Sequence, residues 1–259
     1  METANRVRVL DKSMFRRIAV AGDIHGDIAS LRALLGKVDL ESDALVFLGD
    51  YADRGRNGIE VIDTVDGLIQ KYKSVTAVRG NHEDYDRDGE PSFSPCDLQD
   101  EAREKRGSWM EYFNKTFKPF SEYFNKTFKP FSERLYLAAI LPGEALFVHG
   151  GVSGRMTDLE RMRWYEEHVL WSDPVDWVGE RRSRRGAGIE FGSDVSESVC
   201  KSLGVKRIIR SHEPRKAPNG PYAEHDGRVI TTSCTSVYGG RPSVLFIETG
   251  SGKLYSELL

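Results

Sequence analysis

The sequence of 259 residues has no apolar run approaching the ~20 residues that span a bilayer. Its first residues, Met-Glu-Thr-Ala-Asn-Arg, lack the apolar stretch of a secretory signal. No membrane partner is expected. Cysteine is scarce: Cys96, Cys200 and Cys234 are odd in number and far apart. That pattern excludes a disulfide framework and a zinc knuckle, and it predicts reduced thiols in a cytoplasmic protein. Neither sign of charge dominates, with 37 Lys and Arg against 40 Asp and Glu. Without a basic surplus for the phosphate backbone, nucleic acid is not expected as a partner. Glycine and proline stay below the levels of collagen-like or disordered chains, and 39% hydrophobic residues can fill a full core.

What is present is an alternation of short apolar runs and amphipathic stretches. Ile18–Ala21, Ala44–Leu48 and Val75–Val78 read as buried strands. Ile28–Val38 and Ile59–Tyr72 between them read as helices, with Ile28, Leu31, Leu34 and Leu35 on one face of the first. The β-α-β-α-β order predicts an α/β fold that starts with parallel pairing. Residues 84 to 97 read as a polar surface loop, and 98 to 117 as a helix. Later strands are predicted at 145–148, 206–209, 228–232 and 243–248, the last joined to 253–258 by Thr249-Gly250-Ser251-Gly252 as a hairpin. Ser193-Asp194 should cap a helix through Val195, Val199 and Leu203. No linker divides the chain, so residues 1–259 are expected to form one domain.

Residues 111–121 read EYFNKTFKPFS, and residues 122–132 repeat them letter for letter. Solenoid repeats need about three copies to stack and diverge at exposed positions, so this perfect 11-residue tandem duplication is not a solenoid. Pro119 and Pro130 disfavour one helix through both copies. The expectation is a recent duplication, an insertion or a sequence artefact, with the surplus copy extending a surface excursion.

The predicted strands end alike. The first runs into Gly22-Asp23-Ile24-His25-Gly26, the second into Gly49-Asp50-Tyr51-Ala52-Asp53-Arg54-Gly55, and the third into Gly80-Asn81-His82-Glu83. The strand at 145–148 ends in His149-Gly150-Gly151, and that at 206–209 in Arg210-Ser211-His212-Glu213. Ligand sites of α/β sheets lie outside the carboxyl ends of strands. Carboxylate, imidazole and amide donors without thiolate suit divalent cations of intermediate hardness. A shared carboxylate can bridge two of them, and Asp50 is central in sequence. Arg54 is placed as a phosphate fork. One such motif is weak, but four of the six histidines fall at these ends, in order.

With GDIHG (22–26), GDYADRG (49–55), GNHE (80–83), HGG (149–151), LWSDP (170–174), RGAGIEFG (185–192), RSHE (210–213) and SVYGG (236–240), the sequence resembles the PPP-type serine/threonine phosphatases of the calcineurin-like metallophosphoesterase superfamily. The resemblance runs from about residue 18 to 249. It implies an α/β fold with a central β-sandwich of mixed sheets flanked by helices. It implies two divalent metal ions, manganese foremost with iron or zinc as alternatives. Asp23 and His25 would hold the first metal, Asp50 would bridge, and Asn81, His149 and His212 would complete the second. Arg54, Arg185 and Asn81 would bind phosphate, and Tyr238 would line the site. His82 would be the general acid, oriented by Asp53, its catalytic partner. The implied reaction is in-line attack of a dimetal-bound hydroxide on a phosphoserine or phosphothreonine monoester, in a phosphoprotein or phosphopeptide substrate.

Two features depart from the common eukaryotic pattern. The chain is short, which implies a compact prokaryotic or archaeal style of member without regulatory extensions. The stretch after GNHE diverges and holds the duplication. That leaves room for a second reading, a small-molecule metallophosphoesterase such as a dinucleoside polyphosphate or phosphodiester hydrolase, because fold and centre do not fix substrate. A catalytically dead scaffold is disfavoured, because no ligand is missing. Asp173 is expected to be structural or to support the site from behind, and His168 and His225 to be ordinary surface residues.

Overall fold

Strands β2 (Arg17–Ala21) and β3 (Asp43–Phe47) show why the apolar runs are continuous. Ile18, Val20, Ala44 and Val46 face one apolar cluster, while Ala19, Ala21, Leu45 and Phe47 face another. A strand covered on both faces has no polar side to alternate with. The computed structural model describes residues 6–106 and 122–259. In it β3 pairs in parallel with β2 on one side and with β4 (Val75–Ala77) on the other. The hairpin of β13 (Ser243–Glu248) and β14 (Leu254–Leu258) adds antiparallel to β2 and completes a five-stranded sheet.

A second, six-stranded sheet runs β1 (Val7–Val9), β5 (Ala138–Leu141), β6 (Ala145–Phe147), β10 (Arg207–Arg210), β12 (Val229–Thr231) and β11 (Tyr222–Glu224). Its strands β6, β10 and β12 are parallel. Ala139, Leu141, Phe147 and Ile209 of this sheet meet Ile18, Val46, Leu245 and Ile247 of the other in one buried layer. On the outer face of the five-stranded sheet lie helices α1 (Ile28–Leu35), α2 (Gly58–Lys71) and α3 (Asp97–Arg106). The helices Glu166–Trp171 and Ser193–Leu203 cover the other sheet. This is the sandwich of mixed sheets flanked by helices that the resemblance implied. Among the described residues no helix is long and apolar enough to cross a membrane.

Several expectations need correction. The helix predicted over 98–117 is seen over Asp97–Arg106, and residues 107–117 lie outside the described part. Ser193-Asp194 does not cap its helix. Gly192 holds the cap position, and the Asp194 carboxylate instead accepts from the Gly179 amide at 2.8 Å. Strands β1, β5 and β11 were not expected. Nor was a small sheet of β7 (Asp173–Pro174), β9 (Ile189–Phe191) and β8 (Glu180–Arg182). Strands of two to four residues are too short to show a period. His225 is no surface residue: it is buried, with Nδ1 3.0 Å from Ser196 Oγ and Nε2 2.9 Å from the Val175 carbonyl.

The copy 122–132 packs into the core. Tyr123, Phe124, Phe128 and Phe131 are buried in the cluster beneath α2 and α3. The backbone makes one wide turn over Phe124–Phe128 and continues as the helix Lys129–Arg134. Pro130 falls in the first turn of that helix, where its missing N–H is tolerated. The copy 111–121 lies outside the described residues.

Candidate metal centre and active-site cavity

The parallel strands of both sheets point their carboxyl ends at one rim. The turn after β2 supplies Asp23 and His25, the turn after β3 supplies Asp50, Asp53 and Arg54, and the turn after β4 supplies Asn81 and His82. His149 follows β6, and His212 follows β10. The glycines beside these residues permit the crowding: a Cβ on Gly49, whose φ is 102°, would overlap the backbone of Gly80. Non-glycine residues pay for the same geometry. His25, Asp50, Asp53, Arg54 and His212 all adopt left-handed backbone, with φ between 48° and 68°. Such strain persists only where surrounding bonds fix it.

Glu83 does much of that fixing. Its buried carboxylate accepts the amides of Asp50 and Gly80, each at 2.9 Å, and of Tyr51 at 3.0 Å. The place of Glu83 at the end of GNHE does not disclose this task. Burial pushes its carboxyl up to about 7. Asp50 is also raised, first by burial and then by the neighbouring Asp23 and Glu83 charges. Four acidic groups thus crowd a low-dielectric space, which is costly without cations.

The histidines are oriented for lone-pair donation. His25 Nδ1 lies 3.0 Å from the Ala52 carbonyl, and His149 Nδ1 lies 2.8 Å from that of Leu48. Each ring therefore donates a proton outward and turns Nε2 inward. His25 Nε2 stands 3.5 Å from Asp50 Oδ2 and 3.9 Å from Asp23 Oδ2. His149 Nε2 stands 3.4 Å from Asp50 Oδ1, 2.9 Å from Asn81 Oδ1 and 3.1 Å from His212 Nδ1. Acceptors facing acceptors at such distances fit a cation between them. Burial lowers the pKa of all four site histidines, His149 to about 4, which leaves the rings of His25, His149 and His212 as neutral lone-pair donors. Asp23 Oδ2 and His212 Nε2 are buried with no hydrogen-bond partner.

Two ligand groups share Asp50: His25, Asp50 and His82, and Asp50, His149 and His212, with donor atoms within 4.8 Å of one another. Asp23, whose Oδ1 accepts from the His212 amide at 3.0 Å and from Ser211 Oγ, keeps Oδ2 for the first group. All six residues expected as ligands are therefore together. His82 joins the first group in space, although its Nδ1 is engaged elsewhere, 2.7 Å from Asp53 Oδ2. Asp53 is held in turn by the Leu98 amide, 2.7 Å from Oδ1, and burial raises it to about 6.

A cavity of about 510 Å³ opens over these groups. Arg54, Arg185 and Tyr238 line it, as expected. Arg54 Nη2 is 3.5 Å from His82 Nε2, and its Nη1 donates to the Pro95 carbonyl at 2.8 Å. Arg185 Nε donates to Asp173 at 2.5 Å. Asp173 also receives the buried Arg210 at 3.0 Å, so it stands behind the site as expected. Tyr238 packs edge-on to His25, at 5.4 Å between centroids. Its loop is tied to the His25 turn because Asp27 accepts from Ser236 N at 2.8 Å and from Ser236 Oγ at 2.7 Å. Phe93, in the stretch read as a polar loop, lies 4.3 Å from the His82 ring. Arg215 lines the same cavity, and no motif announced it.

Residues 16–216 match the sequence model of the calcineurin-like phosphoesterase family. The chain is similar to serine/threonine-protein phosphatase T of Aspergillus oryzae, 32% identical over 86% of this chain and 46% of that protein. It is similar to serine/threonine-protein phosphatase 5 of Arabidopsis thaliana, 30% identical over 83% and 39%. It spans less than half the length of these curated relatives. Among solved structures it resembles a protein serine/threonine phosphatase of Saccharomyces cerevisiae with similarity to human phosphatase PP5. The TM-score is 0.69 at 23% identity, over 98% of this chain and 82% of that one. A cold-active protein-tyrosine phosphatase of a Shewanella species gives a TM-score of 0.62 at 15% identity, over 98% and 82%.

Proposed function

The chain belongs to the calcineurin-like phosphoesterase family, and on that premise we propose that it is a metal-dependent phosphatase of phosphoserine and phosphothreonine in proteins. We take residues 1–259 as one catalytic domain. Asp23, His25 and Asp50 would hold one divalent ion, and Asp50, Asn81, His149 and His212 a second. The unpartnered Asp23 Oδ2, the inward-facing Nε2 atoms of His25 and His149, and His212 Nδ1 beside His149 support that pairing. Manganese, iron and zinc all suit such donors. Bound there, the ions would neutralise the phosphate and lower the pKa of a water.

The chain's own residues do the rest. Arg54 and Arg185 flank the cavity, and each is held by a protein acceptor, so the phosphate meets guanidiniums already in place. Asn81 offers its amide to the same phosphate. Tyr238 closes one side. His82 faces the leaving oxygen with Nε2, while Asp53 anchors Nδ1 and stabilises the ring when it carries two protons. The Asp53–His82 pair is the observation that carries the reading. An alkoxide of serine or threonine leaves poorly without a proton, whereas a phosphate leaving group of a polyphosphate needs none.

The test is a substrate panel with the metal-reconstituted protein: phosphoserine, phosphothreonine and phosphotyrosine peptides, diadenosine tetraphosphate and a phosphodiester. Release of phosphate from the phosphoserine and phosphothreonine peptides is the expected result. Turnover confined to the nucleotide or the diester would keep the centre and overturn the substrate class.

A further inference from the structure

Four cations line the cavity: Arg54, Arg185, Arg215 and Lys216. Three are neutralised by the protein. Arg54 lies 3.6 Å from Asp97, and Arg185 pairs with Asp173. Lys216 sits between Glu213 at 3.1 Å and Glu224 at 2.9 Å. Arg215 has no ion pair or hydrogen bond among the described residues. Its guanidinium stands 5.5 Å from the centroid of the Tyr238 ring. A contact of that kind positions a cation without cancelling its charge.

The backbone beneath Arg215 is firm. It follows the ligand His212 by three residues, in a tight turn over Pro214–Lys216. The Lys216 amide donates to the Glu213 carbonyl at 2.9 Å, and that of Ala217 to the Pro214 carbonyl at 3.2 Å. Phe93 and Ser94 also line the cavity, from the loop after β4. With a cavity of about 510 Å³, a phosphoryl group leaves room for the residues on either side of it.

We propose that Arg215 sets substrate preference by pairing with an acidic side chain next to the phosphorylated residue of a peptide. The inference rests on the protein-phosphatase reading and extends it to sequence context. Arg215 is exposed, so its effect is that of a partly screened ion pair, about two- to fivefold in kcat/KM.

The test uses matched phosphothreonine peptides in which one Glu is moved through successive positions on either side, each with a Gln counterpart. The metal-loaded wild type, Arg215→Gln, Arg215→Lys and Arg215→Glu are compared. The wild type should favour the Glu peptide at one or more positions, through KM rather than kcat, and added salt should narrow the ratio. Arg215→Gln should bring the ratio to about one, Arg215→Lys should keep part of it, and Arg215→Glu should invert it. Equal ratios for the wild type and Arg215→Gln would overturn the role of Arg215 alone. A wild type that hydrolyses neither peptide would overturn the protein-phosphatase reading, and this inference with it.

Discussion

Replacing Asp53 by asparagine separates shape from charge behind His82. Asparagine tolerates the left-handed backbone at this position, where φ is 66°. Its amide oxygen can keep the bond from the Leu98 N–H, now 2.7 Å from Asp53 Oδ1. The amide NH₂ then faces His82 Nδ1 in place of the carboxylate oxygen at 2.7 Å. An NH₂ donates, so Nδ1 must accept and the ring proton moves to Nε2. That neutral ring can give up its proton only by becoming an imidazolate, so it ceases to be an acid near pH 7. General acids contribute about 10²–10⁴-fold, and kcat on a phosphoserine peptide should fall by that factor. On p-nitrophenyl phosphate, whose phenolate leaves without a proton, the fall should stay below about tenfold, and the melting temperature should hold. Equal losses on both substrates, or little loss on the peptide, would refute the assignment.

Asp50→Asn keeps the left-handed turn but loses the bridging charge. Metal content by plasma emission should drop, with activity falling beyond the ~10–100-fold typical of an outer partner; normal content and rate would sink the bridging role. Phe131 is buried against Tyr51 at 5.3 Å and Phe128 at 6.3 Å, so Phe131→Ala should cost about 3–5 kcal/mol and lower the melting temperature by roughly ten degrees. A shift of a degree or two would show that the segment is not part of the folded core. Burial raises the Cys96 thiol to about 11. The folded chain holds that proton more tightly than the unfolded one, so stability is full below the unfolded pKa and is lost as pH climbs from about 9 towards about 11, by at most about 2 kcal/mol. Urea unfolding at about pH 8 and about pH 10.5 should show this difference, and Cys96→Ala should shrink it.

The site was unusually legible because its donors are chemically distinctive and each follows a strand whose apolar run is unmistakable. Asp23, His25, Asp50, Asn81, His149 and His212 could be gathered from strand ends before any coordinates. Their supports were not legible. Glu83 works by receiving three amides, Arg210 by lying buried beside Asp173, and Phe93 by packing its ring at a tilt against His82. Each depends on a distance across the fold that no local period records. The left-handed turns at His25, Asp50 and His212 were equally hidden, because only glycine advertises such backbone in a sequence. The same holds for the copy 122–132: nothing in its repeated letters showed that Tyr123, Phe124, Phe128 and Phe131 fill the interior.

That segment has a genetic consequence. Tyr123, Phe124, Phe128 and Phe131 recur as Tyr112, Phe113, Phe117 and Phe120. Deleting either copy yields one and the same shorter polypeptide, which still carries every aromatic that the core uses. Phe128 also touches Tyr85 at 4.7 Å, Tyr85 touches Phe93 at 5.4 Å, and Phe93 backs His82. Loss of one copy therefore leaves the aromatic packing behind His82 with no residue missing.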